Sequence, residues 1–142
     1  ILGICRFVAY MVGSRAFVVG LEPFAKMLSA ATGWSVAEPD ILKASERVYN
    51  LNRTFNIREG FTREHDSVRA ICFDEPVSSG PTKGRRLTRQ DFERMLDRFY
   101  EVCGWDKLTG VPTREKLEEL DLRDVADDLE RMGKLQPDLR DN

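Results

Sequence analysis

The sequence predicts an all-α domain whose helices are joined by long irregular loops. Three observations lead there. Apolar residues recur at i, i+3, i+4 and i+7 in segments beginning near residues 23, 38 and 88. Start and stop residues bracket these segments, with Pro23 before Gly33 and Thr88 before Gly104. Between them, residues 59–87 lack helical period and carry Gly60, Pro76, Gly80, Pro81 and Gly84, the punctuation of an irregular connection.

Residues 4–12 fit a short buried helix, although periodicity does not separate helix from strand there. The next helix places Pro23 at N1, buries Phe24, Met27, Leu28 and Ala31, and ends at Gly33. A longer helix is expected over about 38–58, with Pro39 tolerated in its first turn. Its apolar stripe is Ile41, Ala44, Val48, Leu51 and Phe55, and Asn52 points into the same stripe. Buried there, the Asn52 amide needs partners, since an unsatisfied polar group costs about 1–3 kcal/mol. Tyr49 and Ile57 lie on other faces, which suits a central helix with several neighbours.

Thr88 and Asp91 form a capping-box variant that opens a helix with an apolar face of Phe92, Met95, Leu96, Phe99, Val102 and Cys103, stopped by Gly104. A turn through Gly110 and Pro112 leads to Thr113, the N-cap of a short helix burying Leu117 and Leu120. Asp121 is expected to cap a final helix with Val125, Ala126, Leu129 and Met132 inward and Gly133 closing it. The polar tail from Gln136 is expected to fray.

At 142 residues the chain suits one helical domain, 1–142, with a single core. Lys and Arg number 22 against 24 Asp and Glu, a net charge of -2, which gives no electrostatic drive toward a phosphate backbone and argues against nucleic-acid binding. Cys5, Cys72 and Cys103 are odd in number and far apart, so neither a disulfide framework nor a closed zinc site can be drawn, and a reducing compartment is the natural reading. The first 21 residues are apolar, but Arg6 and Arg15 interrupt them and no basic region precedes them. A membrane span needs roughly 20 largely uncharged residues, so the segment reads as buried core. Its abrupt start at Ile1, without Met, is what a truncated chain would show.

Two stretches resemble the tungsten-containing aldehyde ferredoxin oxidoreductases. Leu2-Gly3-Ile4-Cys5 is similar to the end of that family's Asp-x-x-Gly-Leu-Cys motif, with Ile4 for Leu and the motif Asp falling just before Ile1. Glu46-Arg47-Val48-Tyr49-Asn50-Leu51, followed by Phe55-Asn56-Ile57-Arg58-Glu59-Gly60-Phe61, resembles a second and more specific signature. Thr32-Gly33-Trp34, Glu75-Pro76, Gly80-Pro81, Gly84, Tyr100, Gly104-Trp105-Asp106, Gly110 and Pro112-Thr113 follow in the family's order. The region from Ser67 to Phe73 departs from it.

The resemblance implies a part of an enzyme rather than a whole one. In the family the first motif binds one of two pterins that chelate tungsten, and its cysteine is the fourth ligand of a [4Fe–4S] cluster. Cys5 matches that ligand, and Gly3 and Ile4 match the Gly-Leu pair. A cluster iron takes a thiolate, and a glycine lets backbone approach a flat cofactor. Taken without the resemblance, Cys5 reads as one more buried thiol. The implied partners are the N-terminal domains of the same enzyme, ferredoxin and a small aldehyde, in the cytoplasm, with no membrane and no nucleic acid. Tungsten or molybdenum could fill the bis-pterin site. The catalytic acid, the histidine and the remaining cluster ligands have no counterparts in this chain.

The other chemistry-bearing residues have plainer readings. Cys72 and Cys103 match no ligand position and read as core or loop thiols. His65, the one histidine, sits in a polar loop beside Glu64 and reads as solvated. Arg47, Arg53, Arg58, Glu59 and Arg63 could make an anion site, but an ion-paired helix face with Glu46 and Glu59 as partners is preferred. Arg85, Arg86 and Arg89 read as a solvated face. Two other functions compete with aldehyde oxidation: a benzoyl-coenzyme A reductase subunit of the same family, and a helical binding module without redox chemistry.

Overall fold

The computed structural model describes residues 20–135. The short helix expected over residues 4–12, the candidate site residues Gly3, Ile4 and Cys5, and the tail from Gln136 lie outside the described residues. Within them every regular element is a helix: α1 (Glu22–Thr32), α2 (Glu38–Arg58), α3 (Ile71–Asp74), α4 (Arg89–Cys103), α5 (Arg114–Glu119) and α6 (Arg123–Arg131), with a 3-10 turn at Arg63–His65. One isolated antiparallel bridge, Trp105 to Pro112, is the sole strand-like pairing among the described residues. No described helix is long and apolar enough to cross a membrane. The chain divides into two compact units, Ile1–Leu51 and Asn52–Asn142.

In the first unit, α1 begins one residue before the proline, which sits in the first turn where its missing N–H costs nothing. The helix ends where expected. Gly33 adopts φ 76°, and its N–H donates to the Ser29 carbonyl at 2.9 Å. Its buried face is narrower than the periodicity implied: Ala25 is buried and Phe24 and Leu28 are half-buried, while Met27 and Ala31 are exposed. Asp40 secures the start of α2 by accepting from the Ala37 N–H at 2.8 Å.

Helix α2 has the expected bounds but not the expected inner face. Of the stripe Ile41, Ala44, Val48, Leu51 and Phe55, only Ile41 is buried. The buried residues of its second half are Asn50, Arg53, Thr54 and Ile57, on nearly the opposite side of the helix. The physical reason is hydrogen bonding. A buried polar group is tolerated when it is paired, and no buried side-chain N or O among the described residues lacks a partner. Asn52, expected in the buried stripe, is exposed and needs no internal partner. Phe55 is 55% exposed with the Arg58 guanidinium over its ring at 5.4 Å. Phe55→Ala should therefore cost less than about 1 kcal/mol in denaturant unfolding, not the roughly 3–5 kcal/mol of a fully buried ring. A loss in that larger range would show that the ring is buried after all.

The second unit is built on three helix ends of one kind. At the end of α2, Gly60 and Phe61 donate to the Ile57 and Asn56 carbonyls; at the end of α4, Gly104 and Trp105 donate to Glu101 and Tyr100. Gly133 and Lys134 do the same to Glu130 and Leu129 after α6. Each is a Schellman turn, with a left-handed glycine satisfying carbonyls that the helix leaves unpaired. The first explains why the Phe55–Phe61 signature carries Gly60 before Phe61.

The core of this unit is Ile57, Val111, Leu117, Leu120, Leu122, Ala126, Leu129 and Leu135, with Val125 packed against it. Thr88 and Thr113 cap α4 and α5 as expected, their side chains accepting from the N–H groups of Asp91 and Lys116. Asp121 is not the N-cap of α6. It takes a left-handed φ of 57°, and Leu122 stands at the N-cap with no side-chain bond. Met132 is exposed rather than inward. The expected face of α4 is also revised: Tyr100 is fully buried, whereas Met95, Phe99 and Val102 are exposed. Residues 59–87 form a connection that is irregular as expected except for the 3-10 turn at Arg63–His65 and the one-turn helix α3, and it is pinned by Phe73, which is buried edge-to-face on Phe92 at 5.5 Å.

Candidate functional site

A buried polar cluster of the second unit is centred on Arg53, whose side chain is 8% exposed. Its Nε donates to the Gly110 carbonyl at 2.8 Å, and its two terminal nitrogens donate to both oxygens of Asp66 at 2.9 and 2.5 Å. This is the paired fork geometry in which arginine binds carboxylate best. The guanidinium also lies over the Trp105 ring at 4.7 Å and near Tyr100 at 5.9 Å. The Tyr100 hydroxyl donates to Asp66 Oδ2.

Each member has a local reason to be there. Arg53 sits on the inward face of α2, one turn before Ile57. Asp66 closes the 3-10 turn that the Schellman ending of α2 leads into. Tyr100 and Trp105 are the two ends of the turn after α4, their rings 5.6 Å apart, so the same turn that stops the helix builds the aromatic wall. Gly110 is held by its N–H donating to the Asp106 carbonyl at 2.8 Å, while Asp106 Oδ1 accepts from the Thr109 N–H and hydroxyl. A Cβ on Gly110 would lie 2.4 Å from an Arg53 nitrogen and 2.8 Å from the Tyr100 hydroxyl. Glycine is required there by space as well as by its φ of 73°.

Hydrogen bonding and burial shift two of these groups, Asp66 and Tyr100. Burial alone would raise the Asp66 carboxyl, but the hydrogen bonds from Arg53 and Tyr100 outweigh it and hold the group below the usual carboxylate range. Burial and the Asp66 hydrogen bond push the Tyr100 phenol up, so it stays protonated and donates. An ionised acid, a protonated phenol and a fully engaged arginine form a positioning device, not a proton-transfer pair. A second arginine extends it: Arg63 bonds Glu93 at 2.5 Å and Asp97 at 2.7 Å on α4, and its guanidinium lies 5.2 Å from the Tyr100 ring centre.

The sequence had proposed an ion-paired face with Glu46 and Glu59 as partners. Arg58 does meet Glu59, at 3.6 Å on the surface, but Arg53 and Arg63 take Asp66, Glu93 and Asp97 instead. The signal for Asp66 was slight, because an acid 13 residues away in a loop has no periodic relation to a helix. Arg85 and Arg86 are exposed as expected, while Arg89 lies over Phe73 at 4.6 Å. His65 is exposed; its Nδ1 accepts from the Thr62 N–H at 3.1 Å, so it stiffens the 3-10 turn. Cys72 is exposed and Cys103 half-buried. Among the described residues there is no group of three or more His, Cys, Asp or Glu side chains that could hold a metal ion.

A further cluster ties α6 to α5. Arg114 binds Glu118 at 2.8 Å, Asp127 at 2.6 Å and Glu130 at 2.7 Å. These hydrogen bonds, that to Glu130 first, raise the Arg114 pKa further and lower that of Glu130.

Comparison with known proteins bears directly on this arrangement. Residues 1–122 match the family described as aldehyde ferredoxin oxidoreductase, domains 2 and 3. The match stops just before α6, although Ala126 and Leu129 belong to the same core as the matched residues. The tungsten-containing aldehyde ferredoxin oxidoreductases of Thermococcus kodakarensis and Pyrococcus furiosus are 35% and 34% identical over 119 residues, 83% of this chain and 18% of each relative. A solved structure, the active site complex BamBC of benzoyl coenzyme A reductase with 1,5-dienoyl-CoA, aligns with a TM-score of 0.69 and 27% identity, covering 82% of this chain and 16% of that one. The chain thus spans less than a fifth of the relatives it matches. With most of its length matched, including the α2 signature and the residues of the Arg53 cluster, the chain belongs to the aldehyde ferredoxin oxidoreductase family, within the region of domains 2 and 3.

Proposed function

We propose that this chain is the helical C-terminal part of a cytoplasmic tungsten- and iron–sulfur-containing enzyme that oxidises an aldehyde to a carboxylic acid. The supporting observation is the match over residues 1–122 together with 34–35% identity to tungsten-containing aldehyde ferredoxin oxidoreductases. Aldehyde and water give acid, two protons and two electrons; a bound tungsten–pterin group would supply that two-electron chemistry, and a [4Fe–4S] cluster would supply one-electron transfer toward ferredoxin. This chain's own residues bind and shape. Cys5 would supply one cluster thiolate, and Gly3 and Ile4 would take the place of the family's Gly-Leu pair beside a pterin. The Arg53–Asp66–Tyr100 cluster holds the end of α2 and the 104–113 turn in one geometry. The remaining ligands and the catalytic groups come from the N-terminal domains of the same enzyme.

The test is made on the full-length enzyme. Cys5→Ser keeps side-chain size but replaces a thiolate with a poor cluster ligand, so iron content and cluster spectrum should change while folding stability does not. Cys72→Ser and Cys103→Ser are matched controls that should keep wild-type iron. A Cys5→Ser enzyme with a full cluster, alongside a Cys72→Ser enzyme that has lost iron, would overturn the assignment.

A second reading is favoured by the benzoyl coenzyme A reductase complex at a TM-score of 0.69. That complex acts on a coenzyme A thioester rather than an aldehyde. Reduction of a viologen dye driven by aldehydes supports the first reading, and dye oxidation driven by benzoyl-coenzyme A supports the second. An iron-free full-length protein would leave a non-catalytic helical module.

A further inference from the structure

The cations of the second unit fall into two groups. Arg53, Arg63, Arg98 and Arg114 are among those that hold a carboxylate. Arg69, Lys83, Arg85 and Arg86 hold none among the described residues, and Arg89 only overlies the Phe73 ring at 4.6 Å. All five are exposed. Residues 67–90 carry these five cations against two acids, Asp74 and Glu75, in a chain whose net charge is -2. The connection between α2 and α4 is therefore locally positive.

Backbone bonds gather these residues. The Leu87 N–H donates to the Cys72 carbonyl at 3.3 Å, the Val77 N–H to the Arg85 carbonyl at 2.8 Å, and the Gly84 N–H to the Val77 carbonyl at 2.9 Å. The stretch bearing Arg69 is thereby tied to the one bearing Lys83, Arg85, Arg86 and Arg89, on the base that Phe73 makes against Phe92. Unpaired like charges do not stabilise a fold. They set up a field that reaches about a Debye length, roughly 8–10 Å, into solvent.

The sign of that field and the electron count of the reaction say what fits it. A positive surface draws an acidic partner and turns a basic one away. Val68, Ile71 and Val77 are the large apolar residues exposed within 67–90, too few for an interface that stays closed. Oxidising one aldehyde releases two electrons, so a one-electron carrier must bind and leave twice per turnover. That traffic requires fast, charge-steered association and weak holding. We propose that the basic surface of residues 69–89 is the docking site of an acidic one-electron carrier protein. This rests on the reading of the chain as part of a redox enzyme, but not on which substrate supplies the electrons.

Two measurements on the purified full-length enzyme, with an acidic ferredoxin as probe, test this. In the first, Lys83 is labelled with an amine-reactive reagent and read by peptide mass spectrometry. Lys83 should react in the native enzyme and be protected by excess ferredoxin at low salt, with the protection lost at roughly 0.5 M salt. A Lys83 unreactive without ferredoxin would overturn the inference in favour of cover by the rest of the polypeptide. A reactive Lys83 that ferredoxin leaves unprotected would show that the carrier docks elsewhere. In the second, the Arg85→Glu/Arg86→Glu double variant should raise the KM for ferredoxin about tenfold or more at low salt, while aldehyde-driven reduction of a viologen dye keeps its wild-type rate. Arg85→Lys/Arg86→Lys keeps the charge and should keep the KM. Lys134 is exposed and also without an ion pair among the described residues, so Lys134→Glu should leave the KM within about twofold. Equal rises at the two places would overturn the inference in favour of net charge alone. A wild-type enzyme without dye reduction sinks the aldehyde-oxidising reading, and Lys83 protection alone then decides the docking. Normal dye reduction with an unchanged ferredoxin KM in the double variant sinks this inference alone.

Discussion

Arg53→Met should be the most damaging single substitution in the second unit, lowering stability by about 3–5 kcal/mol in denaturant unfolding. The methionine keeps the volume of the arginine stem, so the loss is not mainly one of packing. It removes the fork that holds Asp66 and the bond to the Gly110 carbonyl, leaving a half-buried carboxylate without its counter-charge. The pH dependence identifies the cause. In the native protein the Asp66 carboxyl is held below its unfolded value, so its contribution is present above the unfolded pKa and is lost as pH falls through the folded one. In Arg53→Met the burial that opposes ionisation is no longer outweighed, so protonating Asp66 relieves strain. The gap between wild type and variant should shrink as pH falls, first as Asp66 protonates in the folded variant above about 4, and then below about 4 as the wild-type protein loses its own contribution. A gap independent of pH would mean that the arginine acts by packing alone.

Gly110→Ala should cost about 2–5 kcal/mol, made up of ~1–2 for a left-handed backbone bearing a Cβ and ~1–3 for overpacking. The steric part is specific, because the new methyl would press on the Arg53 guanidinium and the Tyr100 hydroxyl. Both groups are fixed by Asp66 and have little freedom to retreat. Gly133→Ala is the matched comparison, with a similar φ of 65° and nothing within 4 Å of its Cβ. It should show the backbone cost alone. Equal losses at the two positions would show that the cluster yields, and that Gly110 is there only for its dihedral angles.

The two variants probe one object from opposite sides, and that object was only half legible in the chain. Gly110 stood among the residues that resemble the family pattern, and Arg53 was recognised as a member of an ion-paired helix. Which acid Arg53 meets was not legible. Glu46 and Glu59 were the reasonable partners by helical spacing, yet the helix turns Arg53 inward, where residues brought from 66, 100, 105 and 110 meet it.

The sequence by itself determined the all-α class, the bounds of α1, α2 and α4, the threonine caps at 88 and 113, the glycine stops, and the family. Those features are local: a cap, a stop or a motif is written within a few residues, and backbone hydrogen bonding there depends little on the rest of the chain. Only the tertiary structure decided which face of each helix is buried. On α2 the apolar stripe at Val48, Leu51 and Phe55 lies outward while Asn50, Arg53 and Thr54 go in, and on α4 Tyr100 displaces Phe99 and Val102 from the inner face. Periodicity marks a face as apolar but not what covers it. A buried arginine with a carboxylate, a carbonyl and two aromatic rings in place is as well satisfied as a leucine in a core, and that satisfaction comes from residues distant in sequence.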